Sequence, residues 1–120
     1  MKYAAFTVLL LFASVTHAET WECKAVNPNT GYVEGRVVVR AMINDDRETG
    51  KIDVADTKYD TKYKVDGFNR QWDFGDLNGK NRFSFIIQPS GLAHYYDFSM
   101  TNSDGAVSNI QIFGCRNSLL

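Results

Sequence analysis

Histidine is scarce in this chain, and the scarcity removes most metal chemistry. Of the 2 histidines, one lies within the first eighteen residues, which leaves His94 alone in the rest. A zinc site built from nitrogen and sulfur ligands has no second imidazole to use. Nothing resembles Cys-x-x-Cys, no serine sits in Gly-x-Ser-x-Gly, and no glycine pattern suits a phosphate. His94, between Ala93 and Tyr95, is expected to be a hydrogen-bonded structural residue on the core face. The carboxylates supply no alternative. Asp73 and Asp97 alternate out of the expected core and Asp76 borders a turn, positions that water solvates rather than shields. Asp45, Asp46 and Glu48 lack the spacing and glycine of a calcium loop. The expectation is a non-catalytic protein with no metal and no cofactor.

Basic charge is also missing. Setting Lys2 aside, 12 of the 13 basic residues remain against 14 acidic ones, with no basic block or stripe. Nucleic acid and anionic lipid are therefore poor partners, and no basic residues are interleaved with the aromatics for single-strand binding. There is no amphipathic helical period, internal repeat or low-complexity tract.

The one apolar run is N-terminal. Lys2, the stretch Tyr3 to Val15 and the small-residue site Thr16-His17-Ala18 are expected to form a signal peptide over 1–18, too short to span a membrane comfortably. Residues 19–120 then form a single domain with no membrane span, periplasmic or secreted. Both cysteines, Cys23 and Cys115, lie there in the first and last expected strands. Export and an even count favour a disulfide between them. Closing so long a loop is worth ~4–5 kcal/mol in the chain-entropy treatment.

Alternation supplies the rest. Trp21 to Val26 is expected as a strand, ended by Asn27-Pro28-Asn29-Thr30-Gly31. A long second strand aligns Val33, Val37, Val39, Ala41 and Ile43, with Gly35 marking a bend or bulge. After a polar connection, Ile52 and Val54 begin a third. The phase breaks near Asp56-Thr57-Lys58 at a bulge or short turn, and Tyr59, Thr61, Tyr63 and Val65 line one face of the next.

From Gln71 to Cys115 the turns predict register. Asn78-Gly79 suits a two-residue turn because both positions accept positive φ, which pairs Trp72 with Phe85 and Phe74 with Phe83. A four-residue loop from Pro89 to Leu92 then pairs Phe83 with Phe98, Phe85 with Tyr96 and Ile87 with His94. A third turn at Ser103-Asp104-Gly105 pairs Phe98 with Ile110 and Tyr96 with Ile112. This register leaves Ile86, Tyr95 and Phe113 as a contiguous apolar row on the outer face. Either a bulge reverses one strand, or Leu119-Leu120 covers the row, or it binds a partner.

The fold expected is all-β: a small antiparallel up-and-down barrel of about eight strands with one disulfide, a β-sandwich being the runner-up. Bulky residues, Trp72, Phe74, Phe83, Phe85, Tyr96 and Phe98, are expected to fill its interior. Two functions follow. One is a protein-binding module acting outside the cytoplasm as an inhibitor, immunity-type protein or accessory, through Ile86, Tyr95 and Phe113. The other is a barrel that holds a small apolar ligand.

The cysteine frame, with Cys115 in Gln111-Ile112-Phe113-Gly114-Cys115-Arg116-Asn117, and the late Ser90-Gly91 resemble the small periplasmic inhibitors of c-type lysozyme. The resemblance implies an inhibitory loop at Ser90-Gly91. The Lys-Gly that follows in that family has no counterpart, since no lysine occurs beyond Lys80.

Overall fold

The computed structural model describes residues 17–101 and 110–118. Eight strands run in order: β1 (His17–Val26), β2 (Val33–Asn44), β3 (Thr49–Val54), β4 (Thr57–Asp66), β5 (Asn69–Phe74), β6 (Phe83–Ile87), β7 (Leu92–Asp97) and β8 (Ile110–Asn117). Each pairs antiparallel with the next, and β8 returns to β1, so the chain is an all-β closed up-and-down barrel. Closure leaves no long free edge. β1 begins at His17, two residues before the expected domain start at Glu19. Residues 1–16 of the expected signal peptide, the Ser103-Asp104-Gly105 turn and Leu119-Leu120 lie outside the described residues.

The disulfide forms as expected. Cys23 and Cys115 stand directly opposite in the β1–β8 register with Cα atoms 4.0 Å apart, so one covalent link crosses the seam where the barrel closes. Short turns set the other registers. Ala55 and Asp56 both take positive φ between Val54 and Thr57, which makes the expected phase break a two-residue turn. Asn78 and Gly79 do the same, and Trp72 meets Phe85 and Phe74 meets Phe83.

The interior is packed around Trp72, which is fully buried. Its ring lies 5.1 Å from Tyr63 and 6.2 Å from Phe85, and its Nε1–H donates to the Met42 carbonyl at 3.0 Å. Gly50 makes that approach possible, because a Cβ there would strike the Met42 oxygen. Truncating such a residue to Ala costs ~3–5 kcal/mol.

At the sixth turn the structure departs from expectation. Gln88 N–H donates to Leu92 O (2.8 Å) and Gly91 N–H to Gln88 O (2.9 Å), so the loop is Pro89-Ser90-Gly91, three residues rather than four. Proline suits the first turn position, and Gly91 at φ 93° supplies the left-handed residue of the accompanying bulge. The register moves by one. Phe83 now meets Asp97, Phe85 meets Tyr95, Ile86 meets His94 and Ile87 meets Ala93. A one-residue slip turns every side chain of a strand over. Tyr95 and Asp97 therefore face inward, while His94, Tyr96 and Phe98 do not belong to the core. The β7–β8 register also differs, by two residues, which leaves the facing of β8 relative to β7 unchanged: Tyr96 pairs with Ile110 and His94 with Ile112, in place of Phe98 with Ile110 and Tyr96 with Ile112.

Candidate functional site

The expected outer row does not exist as a row. Phe113 is 6% exposed and lies in the core cluster, its ring 5.9 Å from Phe85. Tyr95 packs on the same core, 5.6 Å from Phe83 and 6.1 Å from Phe74. Only Ile86 of the three lies on the outside. The physical reason is the Pro89 loop, which inverts β7 and β8 relative to β6.

The same inversion builds a different outer surface. Two rows cross five strands without interruption. One runs Lys64, Gln71, Ile86, His94 and Ile112; the other runs Lys62, Asp73, Ser84, Tyr96 and Ile110. Toward β8 both rows are apolar, with Ile110 and Ile112 exposed at 44% and 45%. His94 and Tyr96 on β7 and Phe98 just past its end form a ladder, with successive ring centroids 6.2 and 6.1 Å apart and the Tyr96 and Phe98 planes within 2°. Parallel rings spaced along a strand hold each other upright, so the ladder presents a firm surface. Beneath it, Ser84 Oγ–H donates to Asp73 at 2.5 Å and Gln71 Nε2–H donates to the same carboxylate at 2.8 Å. That satisfies the carboxylate between the lysines and the aromatic ladder.

The barrel ends carry charge of a structural kind. At one end Glu19 accepts from Trp21 Nε1 (2.9 Å) and Arg70 Nε (3.0 Å), with Arg47 3.6 Å away and the Arg70 guanidinium 5.0 Å above the Trp21 ring. Burial pushes the Glu19 carboxyl up, but the hydrogen bonds and the two arginines together hold it below its usual value. At the other end Arg82 grips Asp97 through Nε and Nη2, each at 3.1 Å, and Ser99 Oγ–H donates at 2.7 Å. The Arg82 hydrogen bonds hold Asp97 down to about 2. Burial, with Tyr59 and Asp97 nearby, pushes the Tyr95 phenol up to about 12. The space bounded by Phe83, Tyr95, Asp97 and Gln111 is only about 90 Å³, well below the ~300 Å³ of small ligand sites.

Ser90-Gly91 is not a free loop. Gly91 O accepts from Cys115 N–H at 2.7 Å, and Ser90 Oγ accepts from Leu92 N–H at 3.3 Å, which ties the turn to β8 beside the disulfide. Among the described residues no cluster of three metal-ligating side chains occurs, and no helix is long and apolar enough to cross a membrane.

Sequence reasoning missed Tyr96, Phe98, Ile110 and Ile112 as outer residues. One signal was available: Pro89 followed two residues later by Gly91 matches a type I turn with a left-handed glycine as well as it matches a longer loop.

Fold and seam together define a small disulfide-closed antiparallel β-barrel with an apolar outer wall over β6 to β8. The chain matches no protein-family model, no curated protein and no solved structure. The cysteine frame and Ser90-Gly91 thus stand as a resemblance with no matched relative beside it.

Proposed function

We propose that this is an exported, non-catalytic protein-binding module whose interface is the outer wall of β6 to β8, around Ile86, Tyr96, Phe98, Ile110 and Ile112. One observation carries the reading: a contiguous apolar and aromatic surface on the water-facing side of a barrel whose interior is already packed. Surfaces of this kind mark protein contacts, and aromatic residues are enriched among those that dominate binding energy. The disulfide is compatible with an oxidising compartment, periplasmic or extracellular, where an inhibitor, immunity-type or accessory protein would act.

The test is native mass spectrometry of the protein drawn undenatured from its own compartment, alongside Tyr96→Asp. A protein-sized adduct present in the native chain and lost in the variant supports the reading. An adduct that survives Tyr96→Asp removes this wall. A discrete added mass of a few hundred daltons turns attention to a small ligand instead.

A further inference from the structure

His94 is the one imidazole in the chain after residue 17, and the barrel sets it within the apolar wall rather than in the core. Ile86 of β6 stands opposite it on one side and Ile112 of β8 on the other. Along β7 its ring centroid lies 6.2 Å from that of Tyr96, its one titratable neighbour. Among the described residues no side chain or backbone group is hydrogen-bonded or ion-paired to the ring, contrary to the hydrogen-bonded core residue expected.

The charged groups around it all stand off. Its outward neighbours are Ser84 and Ile86 on β6, and Ile110, Ile112 and Gly114 on β8, none of them charged. Asp73 of β5 lies one strand further away and already accepts from Ser84 and Gln71. Lys24 of β1 stands beyond Gly114, and Lys64 of β4 ends the row two strands past Ile86. Arg116 is engaged with Glu22 at 3.5 Å. An imidazolium at this position has only water to solvate it.

A docking partner removes that water. Covering Ile86, Ile112 and Tyr96 covers the imidazole between them, and burial disfavours a charge that has no counter-ion. The complex then binds fewer protons than the free protein, so association weakens as pH falls, by up to about ten-fold per pH unit for one excluded proton. Imidazole is the side chain whose charge changes between pH ~5 and 8.

We propose that the wall takes an uncharged, apolar face of its partner near neutral pH and releases it in mild acid, with His94 as the group that changes charge. This deepens the reading of the β6–β8 wall as a protein interface and rests on it. The same geometry defines the partner. An acidic group set over His94 would tighten the complex in acid, and at neutral pH it would lie desolvated against Ile86 and Ile112. The barrel ends do not titrate in that range, because Asp97 is held down to about 2 and Glu19 lies below its usual value.

The experiment measures retention of the oxidised protein on an uncharged phenyl matrix, and the native protein adduct by mass spectrometry, each at about pH 7.5 and about pH 5.5. Near-ultraviolet circular dichroism checks that each variant is folded at both. The native chain should be held less by the matrix in acid and lose roughly ten-fold in adduct. His94→Gln should behave at both pH values as the native chain does at the higher one, and His94→Arg should be weak at both. A native chain without pH dependence in either assay overturns the proposal. So does His94→Gln that keeps the native pH dependence, or an adduct that strengthens in acid. Tyr96→Asp separates the two levels. If that variant is weakened while the native chain ignores pH, the wall stands and the role of His94 falls. If Tyr96→Asp changes nothing, or no protein adduct exists at either pH, the wall and the role of His94 fall together.

Discussion

The two sides of the barrel obey the same alternation and present opposite surfaces to water. Across β1 to β4 and β8, outward charges are laced strand to strand: Glu22 with Arg40 at 3.4 Å and Arg116 at 3.5 Å, Lys51 with Asp60 at 2.7 Å, and Lys58 with Asp53 at 3.2 Å. Across β6 to β8 the outward positions include Ile86, His94, Tyr96, Ile110 and Ile112, with Phe98 just past the end of β7. Exposed ion pairs contribute little to stability, typically under ~1 kcal/mol each, and they keep a wall wet. The apolar wall gains nothing from facing solvent. With a solvated charge lattice on one side and an apolar surface on the other, the second is the face proposed for a partner.

The strongest way to break that contrast is to restore the four-residue loop. Inserting a serine between Ser90 and Gly91 should turn β7 over again, sending Tyr95 out and Tyr96 in. The expected result is a loss above ~4 kcal/mol in urea denaturation, or no folded protein. Next comes the seam. Replacing both cysteines, Cys23→Ala with Cys115→Ala, should cost ~2–5 kcal/mol in the same assay, an effect that bears on both walls equally. The contrast itself is sharpened by paired surface variants. Ile112→Asp should weaken partner binding about 30-fold, ~2 kcal/mol at a central contact, with a small change in stability. Lys51→Ala on the charged wall should leave binding unchanged and stability within ~0.5 kcal/mol. Equal effects on binding would erase the distinction between the walls.

The smallest effect concerns the barrel mouth. Asp97 titrates near 2 in the folded protein against 3.8 for an ordinary aspartate. A carboxyl held down in this way contributes stability that is complete above pH ~4 and disappears as pH falls through ~2. Asp97→Asn should flatten the acid limb of a stability-versus-pH curve between those values. Some slope should remain, because Glu19 is held down as well.

The same loop explains how much of the molecule was legible beforehand. The β5–β6 pairing followed from Asn78-Gly79, because a two-residue turn with two positive φ values admits one register. The disulfide and the closure of β1 on β8 followed from where the cysteines fall. The wall did not follow. β7 carries large side chains on both of its faces, Tyr95 on one and His94 and Tyr96 on the other, so hydrophobic patterning has no preference between the two registers. Only the geometry of Pro89-Ser90-Gly91 decides, and a shift of one residue there exchanged Tyr95 for Tyr96 and Phe113 for Ile112. Ile86 kept its place because it lies upstream of the ambiguous turn. A candidate site was therefore readable as a composition of three adjacent strands, and unreadable as a set of named residues.

The position of the disulfide also governs how the molecule carries a mechanical load. Cys23 and Cys115 are 92 residues apart in sequence and adjacent in space. A pull applied to the two ends of the oxidised chain passes from β1 into β8 through sulfur, and the enclosed barrel lies outside the line of tension. Stretching in that direction can extend only the short segments before Cys23 and after Cys115. Reduction puts the whole barrel in series with the force, so the same pull would then peel β1 from β8 and open the wall strand by strand.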